Sequence, residues 1–316
     1  MGQGPLLIGM KMKASDITRR NFLKTSAAGA GALALRAREV PAAAAAPLTP
    51  RPAEGKVRIA VVQQDSAPGA VDANRRQALA FAEEALKNGA DIILFHEELL
   101  IGYAANMKDL AEPADGPTSR AFQSLLKGSQ SQVLWGLTEH AAGKYYIAAT
   151  LVGAAGVVAN YRKTHLWWKA SGLRHEPSFY EPGNELVTFP VKGHPSGVMI
   201  CYDGDFPEMT RAYANLGCRL VFWLNNRGSR GHAEVTRLAE TNSMIMATAC
   251  VCGKDERGQA CRGGSNITNH NGALLAEIWD RPGIIYADVD PAAVPAARQG
   301  NPWYRGRRGD LYARYP

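Results

Sequence analysis

Long apolar runs are scarce near the start of the chain. The most apolar stretch there, Ala27–Leu35, falls far short of the roughly 20 residues needed to span a bilayer, so stable membrane insertion is not expected. Excess charge is missing from the body. The formal net charge is +7, but residues 1–46 hold +5 of it and the remainder only +2. Bulk charge therefore gives no case for nucleic acid as a partner. Zinc-ligand spacing is also lacking: Cys250-Val-Cys252 with Cys261 does not match it, and these three read as small buried residues. Five cysteines are an odd number, so at least one thiol has no intrachain partner. No internal repeat or long linker divides the chain. What remains is ordinary: 316 residues, 46% apolar and 21% charged, enough for a large core.

The N-terminus reads as an address. Thr18-Arg19-Arg20-Asn21-Phe22-Leu23-Lys24 sets paired arginines before an apolar pair and a lysine. A mild apolar stretch and a run of alanines, Ala42–Ala46, follow. This resembles a twin-arginine export signal, which implies the twin-arginine translocase as a partner and a periplasmic or extracellular destination. The expected organisation is a signal peptide over 1–46, a flexible lead-in over 47–56 and one folded domain over 57–316.

From Val57 the pattern is α/β. VRIAVVQQ (57–64) is rich in β-branched residues and predicts a strand. Ala78, Phe81, Ala82, Ala85 and Leu86 recur at helical spacing, predicting a helix over 74–88 that stops at Gly89. DIILFH (91–96) predicts the next strand. A helix over 118–127 and three strands follow, QVLWGLTEHA, YYIAATLVG and GVVANYRK. ELVTFPV and GVMICYD are expected to pair about a turn at 193–196. A helix over 208–216, a strand over 219–224 and a long helix over 232–246 come next, then short strands near ATACV, SNITN, ALLAEIW and GIIYADV. The pattern fits one α/β domain with a mixed sheet or two stacked sheets.

Three passages carry chemistry. In VMICYDGDFPE an apolar strand runs into Cys201 at a turn before a helix. That arrangement can present a nucleophile with backbone N–H groups aimed at the same point, or the thiol can fill core space. A thiol of ordinary pKa, about 8.5, needs a helper. His165, His175 and His194 are available, so a cysteine–histidine hydrolase stays open. DIILFHEELL ends a strand in Glu97-Glu98, of which one alone is expected to face a site because strand neighbours point opposite ways. GVVANYRK ends in Lys163, which could hold a developing oxyanion.

Together these passages resemble the nitrilase, or carbon–nitrogen hydrolase, superfamily. FHEELLIGY is similar to its glutamate block, with His96 where proline is common and Glu97 at the general-base position. YRKTHLW is similar to the lysine block and gives Lys163; ICYDGDFPE is similar to the cysteine block and gives Cys201. HEPSFYEPGN resembles the segment before it and gives Glu176 as a second glutamate. The likeness spans about residues 57–313, including GGSNIT and NPWYRGRRGDLY. It implies a four-layer α-β-β-α sandwich and a homo-oligomer formed through the cysteine-side helices. It also implies attack by Cys201, proton transfer by Glu97, and an oxyanion held by Lys163 and the Tyr202 N–H. Glu176 would fix Lys163 or help position water, and no cofactor or metal is required.

The bond cleaved is less determined. Gly204 and Asp205 replace the arginine of other branches, and CYDGDFPE is closer to the aliphatic-amidase type. The expected substrate is a small amide that releases ammonia. Asn225, Asn226 and Arg227 end the next strand and are expected to line the pocket; Arg227 on a substrate carboxylate would favour N-carbamoyl amino acids instead. A nitrile substrate, acyl transfer to an amine and a non-catalytic scaffold are the alternatives.

Overall fold

A computed structural model describes residues 54–226 and 232–314. The export address, most of the lead-in and Arg227 lie outside the described residues. The first half supplies β1 (Val57–Gln63), β2 (Ile92–Leu94), β3 (Gln132–Ala141), β4 (Lys144–Gly153) and β5 (Gly156–Arg162). The second supplies β6 (Thr188–Val191), β7 (His194–Ile200), β8 (Leu220–Asn225), β9 (Ile245–Cys250), β10 (Cys252–Lys254), β11 (Ala260–Thr268), β12 (Leu274–Trp279) and β13 (Gly283–Val289). One sheet has the order β13-β1-β2-β3-β4-β5. The other runs β10-β11-β9-β8-β7-β6, with β12 added on β11. Both are mixed: β1, β2 and β3 are parallel, as are β7, β8 and β9, while the outer pairs are antiparallel.

The sheets pack face to face, with β1 against β9 and β11, and β4 against β7. Every residue of β1 and β8 is buried, as expected for strands covered on both faces. Helices α1 (Val71–Lys87) and α2 (Pro117–Leu125) pack on each other beside the first sheet. Helices α3 (Pro207–Asn215) and α4 (His232–Asn242) do so beside the second. The result is the expected four-layer sandwich. Ala78, Ala82 and Ala85 form the buried stripe of α1, and small side chains let that helix lie close to the sheet.

Three boundaries differ from expectation. The hairpin between β6 and β7 turns at Lys192-Gly193, both at positive φ, so β7 begins two residues before the expected turn ends. Helix α4 stops at Asn242 rather than 246, because Ser243 takes a φ of 43° and Ile245 already belongs to β9. Strand β2 has three residues, not six. The chain leaves the sheet before Glu97, and Glu98 sits at a φ of 54°. Both glutamates therefore turn into the protein, against the expectation that only one would.

Gly136 on β3 allows that turn. A Cβ there would lie 2.6 Å from the Glu97 Cα and from the His96 carbonyl oxygen. Gly136→Ala is expected to displace the 96–98 segment and cost about 1–3 kcal/mol of stability, read from urea denaturation.

Candidate active site

The strand ends bring the site together. Glu97 follows β2, Lys163 follows β5, Cys201 follows β7 and Asn226 follows β8. A crevice at the carboxyl ends of strands is where open α/β sheets bind ligands.

Cys201 begins a short 3-10 turn, Cys201–Asp205, and holds a φ of 46°. A non-glycine residue at such an angle is strained, so its surroundings must enforce it. Asp203 supplies much of that enforcement. Its buried carboxylate accepts the Ile200 N–H (2.9 Å), the Tyr161 hydroxyl (2.7 Å), and the Thr164 hydroxyl and His165 N–H (2.9 Å each). The Trp223 indole N–H donates to the Cys201 carbonyl at 3.0 Å. Gly204 lets that ring approach, since a Cβ there would meet it at 2.1 Å. Cys201 is left only 8% exposed.

Lys163 is fully buried between two carboxylates. Its Nζ donates to Glu97 Oε1 at 2.9 Å and to Glu176 Oε1 at 2.8 Å. Burial works against its ammonium, but Glu176 and Glu97, aided by Cys201, outweigh it and hold the lysine charged. Cys201, like Glu176 and Glu97, also acts electrostatically on the Tyr103 hydroxyl. Glu97 Oε2 accepts the Asn226 backbone N–H at 2.8 Å, and the Asn226 side chain reaches the Glu97 carbonyl at 3.4 Å. Glu176 accepts Tyr103 Oη on Oε1 and the Trp167 N–H on Oε2, each at 2.7 Å. Burial raises the Glu176 pKa, and Lys163 opposes that shift.

Of the other expected pocket residues, Asn225 is buried at the end of β8, with Nδ2 3.3 Å from the Trp223 carbonyl. The Tyr202 ring meets Trp167 and Phe206 edge-on. The three candidate histidines make other contacts: His165 with Asp203, His175 with Ser178 and His194 with Arg219. The two acids Glu97 and Glu176 thus gather on Lys163, and none of these three histidines joins them. His96 lies behind Glu97, with Nδ1 2.8 Å from the Glu97 carbonyl and Nε2 3.0 Å from Ser66 Oγ. Burial pushes its pKa down to about 4, so the ring is neutral. The thiols of Cys218, Cys252 and Cys261 are all raised by burial, as inert core cysteines are.

Sequence reasoning missed Tyr103, Asp203 and Glu98. Glu98 is fully buried, and its Oε2 accepts the Thr138 hydroxyl. Burial, with smaller contributions from Glu97 and Glu176, pushes its pKa up to about 8 against Thr138 and Lys163. The folded chain therefore keeps a proton that the unfolded chain releases near 4.5, and stability falls as pH rises between those values. His96 acts with the opposite sign, but only below its ordinary 6.5. Above pH 6.5 the His96 contribution is gone, and comparison with Glu98→Gln separates Glu98 from the other raised acid, Glu176. The wild-type chain is expected to lose about 2 kcal/mol more than Glu98→Gln across it, measured by urea unfolding at both pH values.

Fold and site together define an enzyme of the carbon–nitrogen hydrolase class. Residues 58–299 match the carbon-nitrogen hydrolase family, and the chain belongs to that family. It is 29% identical over 251 residues to an omega-amidase from Homo sapiens, covering 76% of this chain and 91% of the relative. It is 28% identical over 224 residues to an (R)-stereoselective amidase from Pseudomonas sp, covering 69% and 80%. Among solved structures, an amidase of the nitrilase superfamily from Nesterenkonia superposes with a TM-score of 0.71 at 22% identity, covering 84% of this chain and 99% of that one. A CN-hydrolase superfamily protein from Xanthomonas campestris superposes at 0.73 and 20% identity, covering 80% and 98%. Residues 16–35 match the twin-arginine translocation pathway signal sequence, so the chain carries an export signal. Among the described residues, no helix is long and apolar enough to cross a membrane.

Proposed function

We propose that this protein hydrolyses a small linear amide through a thioester on Cys201 and releases ammonia. The supporting observation is the fully buried Lys163, held by Glu97 and Glu176 and acted on electrostatically by Cys201, whose backbone is strained. A buried ammonium with two carboxylates is costly to assemble, and a hydrolytic site has a use for each member.

Glu97 takes the Cys201 proton as the sulfur attacks the amide carbon. The carbonyl oxygen gains negative charge. An ammonium has three N–H donors; with two on Glu97 and Glu176, the third can meet that oxygen together with the Tyr202 backbone N–H. Glu97 passes its proton to the nitrogen, the carbon–nitrogen bond breaks, and ammonia departs. Water, deprotonated by Glu97, attacks the thioester carbon. The carbon–sulfur bond breaks, the carboxylic acid leaves and Cys201 regains its proton. Glu176 fixes Lys163, and its own position is set by Tyr103 and the Trp167 N–H. The Asn226 N–H keeps Glu97 aimed.

Likeness to other proteins supports this reading at a distance. A Nesterenkonia amidase variant, 22% identical, carries the acetamide moiety of fluoroacetamide covalently on its active site cysteine. Several curated relatives are named omega-amidases. We extend the proposal to the chain's organisation: a removable signal over 1–46, a lead-in over 47–56 and a hydrolase body over 57–316 that assembles as a homo-oligomer. Exposed Leu216, just after α3, and exposed Trp303 near the C-terminus suit such a contact.

The test is ammonia release by the purified chain from primary amides, N-carbamoyl amino acids and nitriles. Primary amides are expected to react fastest. Faster release from either other class, or none from any amide, overturns the proposal.

A further inference from the structure

The site described above holds one ammonium against three carboxyls. Lys163, Glu97, Glu98 and Glu176 are all fully buried. Lys163 binds Glu97 and Glu176, whereas Glu98 Oε1 has no hydrogen-bond partner among the described residues. Leaving a buried carboxyl oxygen unmatched is expensive, and a site that receives a donor from its ligand is one reason to do so. Glu98 also lines a narrow cavity, shared with Ser66, Tyr103, Asn226 and Cys261. Tyr103 and Asn226 are the groups that hold Glu176 and Glu97, so this cavity adjoins the reacting centre.

We infer that Glu98 is a substrate-recognition residue, and that the amide taken by this site carries an ammonium group on its acyl part. The inference rests on the amidase reading above and names its substrate class. Oε1 would accept an N–H of that ammonium, and the added positive charge would offset the surplus carboxyl. A carboxylate on the acyl part gains no such pair, and near pH 8, where Glu98 begins to ionise, it would be repelled.

The other charged groups at this cavity do not change that balance. Asp255 is bound by Arg257, Glu256 is bound by Arg174, and Lys254 is exposed to solvent. Tyr180 and Tyr103, packed near the carboxyl, have pKa values raised by burial and stay neutral. The empty site keeps Glu98 protonated at neutral pH, since burial pushes its pKa up to about 8. Binding of the ammonium form would therefore release one proton from Glu98 to solvent, leaving a carboxylate–ammonium pair.

The experiment compares kcat/KM for β-alaninamide, its neutral isostere butyramide and the carboxylate malonamate, at pH 6 and pH 8. The wild-type chain is expected to favour β-alaninamide over butyramide by about tenfold or more at pH 8, with a smaller ratio at pH 6. Glu98→Gln should reduce the ratio at pH 8 by about tenfold and remove its pH dependence. A wild-type ratio near one, a ratio untouched by Glu98→Gln, or a preference for malonamate overturns the inference. Should Glu98→Gln fail to fold, the wild-type ratio and its change with pH decide alone. Butyramide turnover tests the parent reading separately: butyramide hydrolysis without β-alaninamide preference sinks only this inference, and no hydrolysis of any amide sinks both.

Discussion

Replacing Cys201 by alanine is expected to abolish ammonia release from every amide while leaving the fold in place. In the proposed cycle the sulfur forms the bond that lets ammonia leave, and no neighbouring group replaces it. The loss should be about 10⁴-fold or more in kcat, the scale seen when a nucleophile is removed from a hydrolytic triad. Stability should change little. Alanine meets the same backbone strain at a φ of 46°, and Asp203 and Trp223 hold the turn through the Ile200 N–H and the Cys201 carbonyl. Ammonia assays and melting curves on the same sample check both halves. Turnover above a tenth of wild type would show that the sulfur is not the nucleophile.

Lys163→Met is expected to damage both chemistry and folding. Removing an oxyanion donor costs about 10²–10³-fold in kcat. The same change leaves Glu97 and Glu176 buried without the cation that each touches within 3 Å. Breaking a buried ion pair in this way costs about 3–5 kcal/mol. The cost should depend on pH, because two buried carboxylates without a cation favour their protonated forms. Protons are then held in the folded variant that the unfolded chain has released, so the variant loses stability as pH rises. Urea unfolding at pH 5 and pH 8 reads this directly: the gap to wild type should widen at pH 8. A constant gap, or wild-type kcat, contradicts the placement of Lys163 between two acids.

Much of this site was legible because its members end apolar strands. Glu97, Lys163 and Cys201 each interrupt a run of buried residues, and a polar side chain there needs a reason. The strands themselves were readable from β-branched and alternating runs, and α1 from its alanine spacing. What the chain conceals are the supports. Asp203 and Tyr161 meet across 42 positions, and Glu97 takes its second donor from a backbone N–H 129 positions away. A backbone donor has no residue signature, so Asn226 drew notice for its side chain instead. Glu98 was misread for a local reason. Reading 91–96 as strand to its end implies that residues 97 and 98 face opposite ways, but the chain turns first and buries both. That turn also depends on Gly136, forty residues along, which only the sheet pairing brings near. Arg227 lies outside the described residues, so its expected contact with a carboxylate has no structural counterpart here. The charge balance around Glu98 argues for the opposite kind of substrate.

The central claim is a covalent acyl group on one sulfur, and mass spectrometry of acid-quenched enzyme taken during turnover tests it most directly. With butyramide or β-alaninamide in excess, a fraction of the wild-type chain should gain one acyl group, mapped to the peptide containing Cys201. The Cys201→Ala chain should gain none. Steady ammonia release with no adduct in the wild-type chain, or an adduct on Cys218, Cys250, Cys252 or Cys261, would contradict the account.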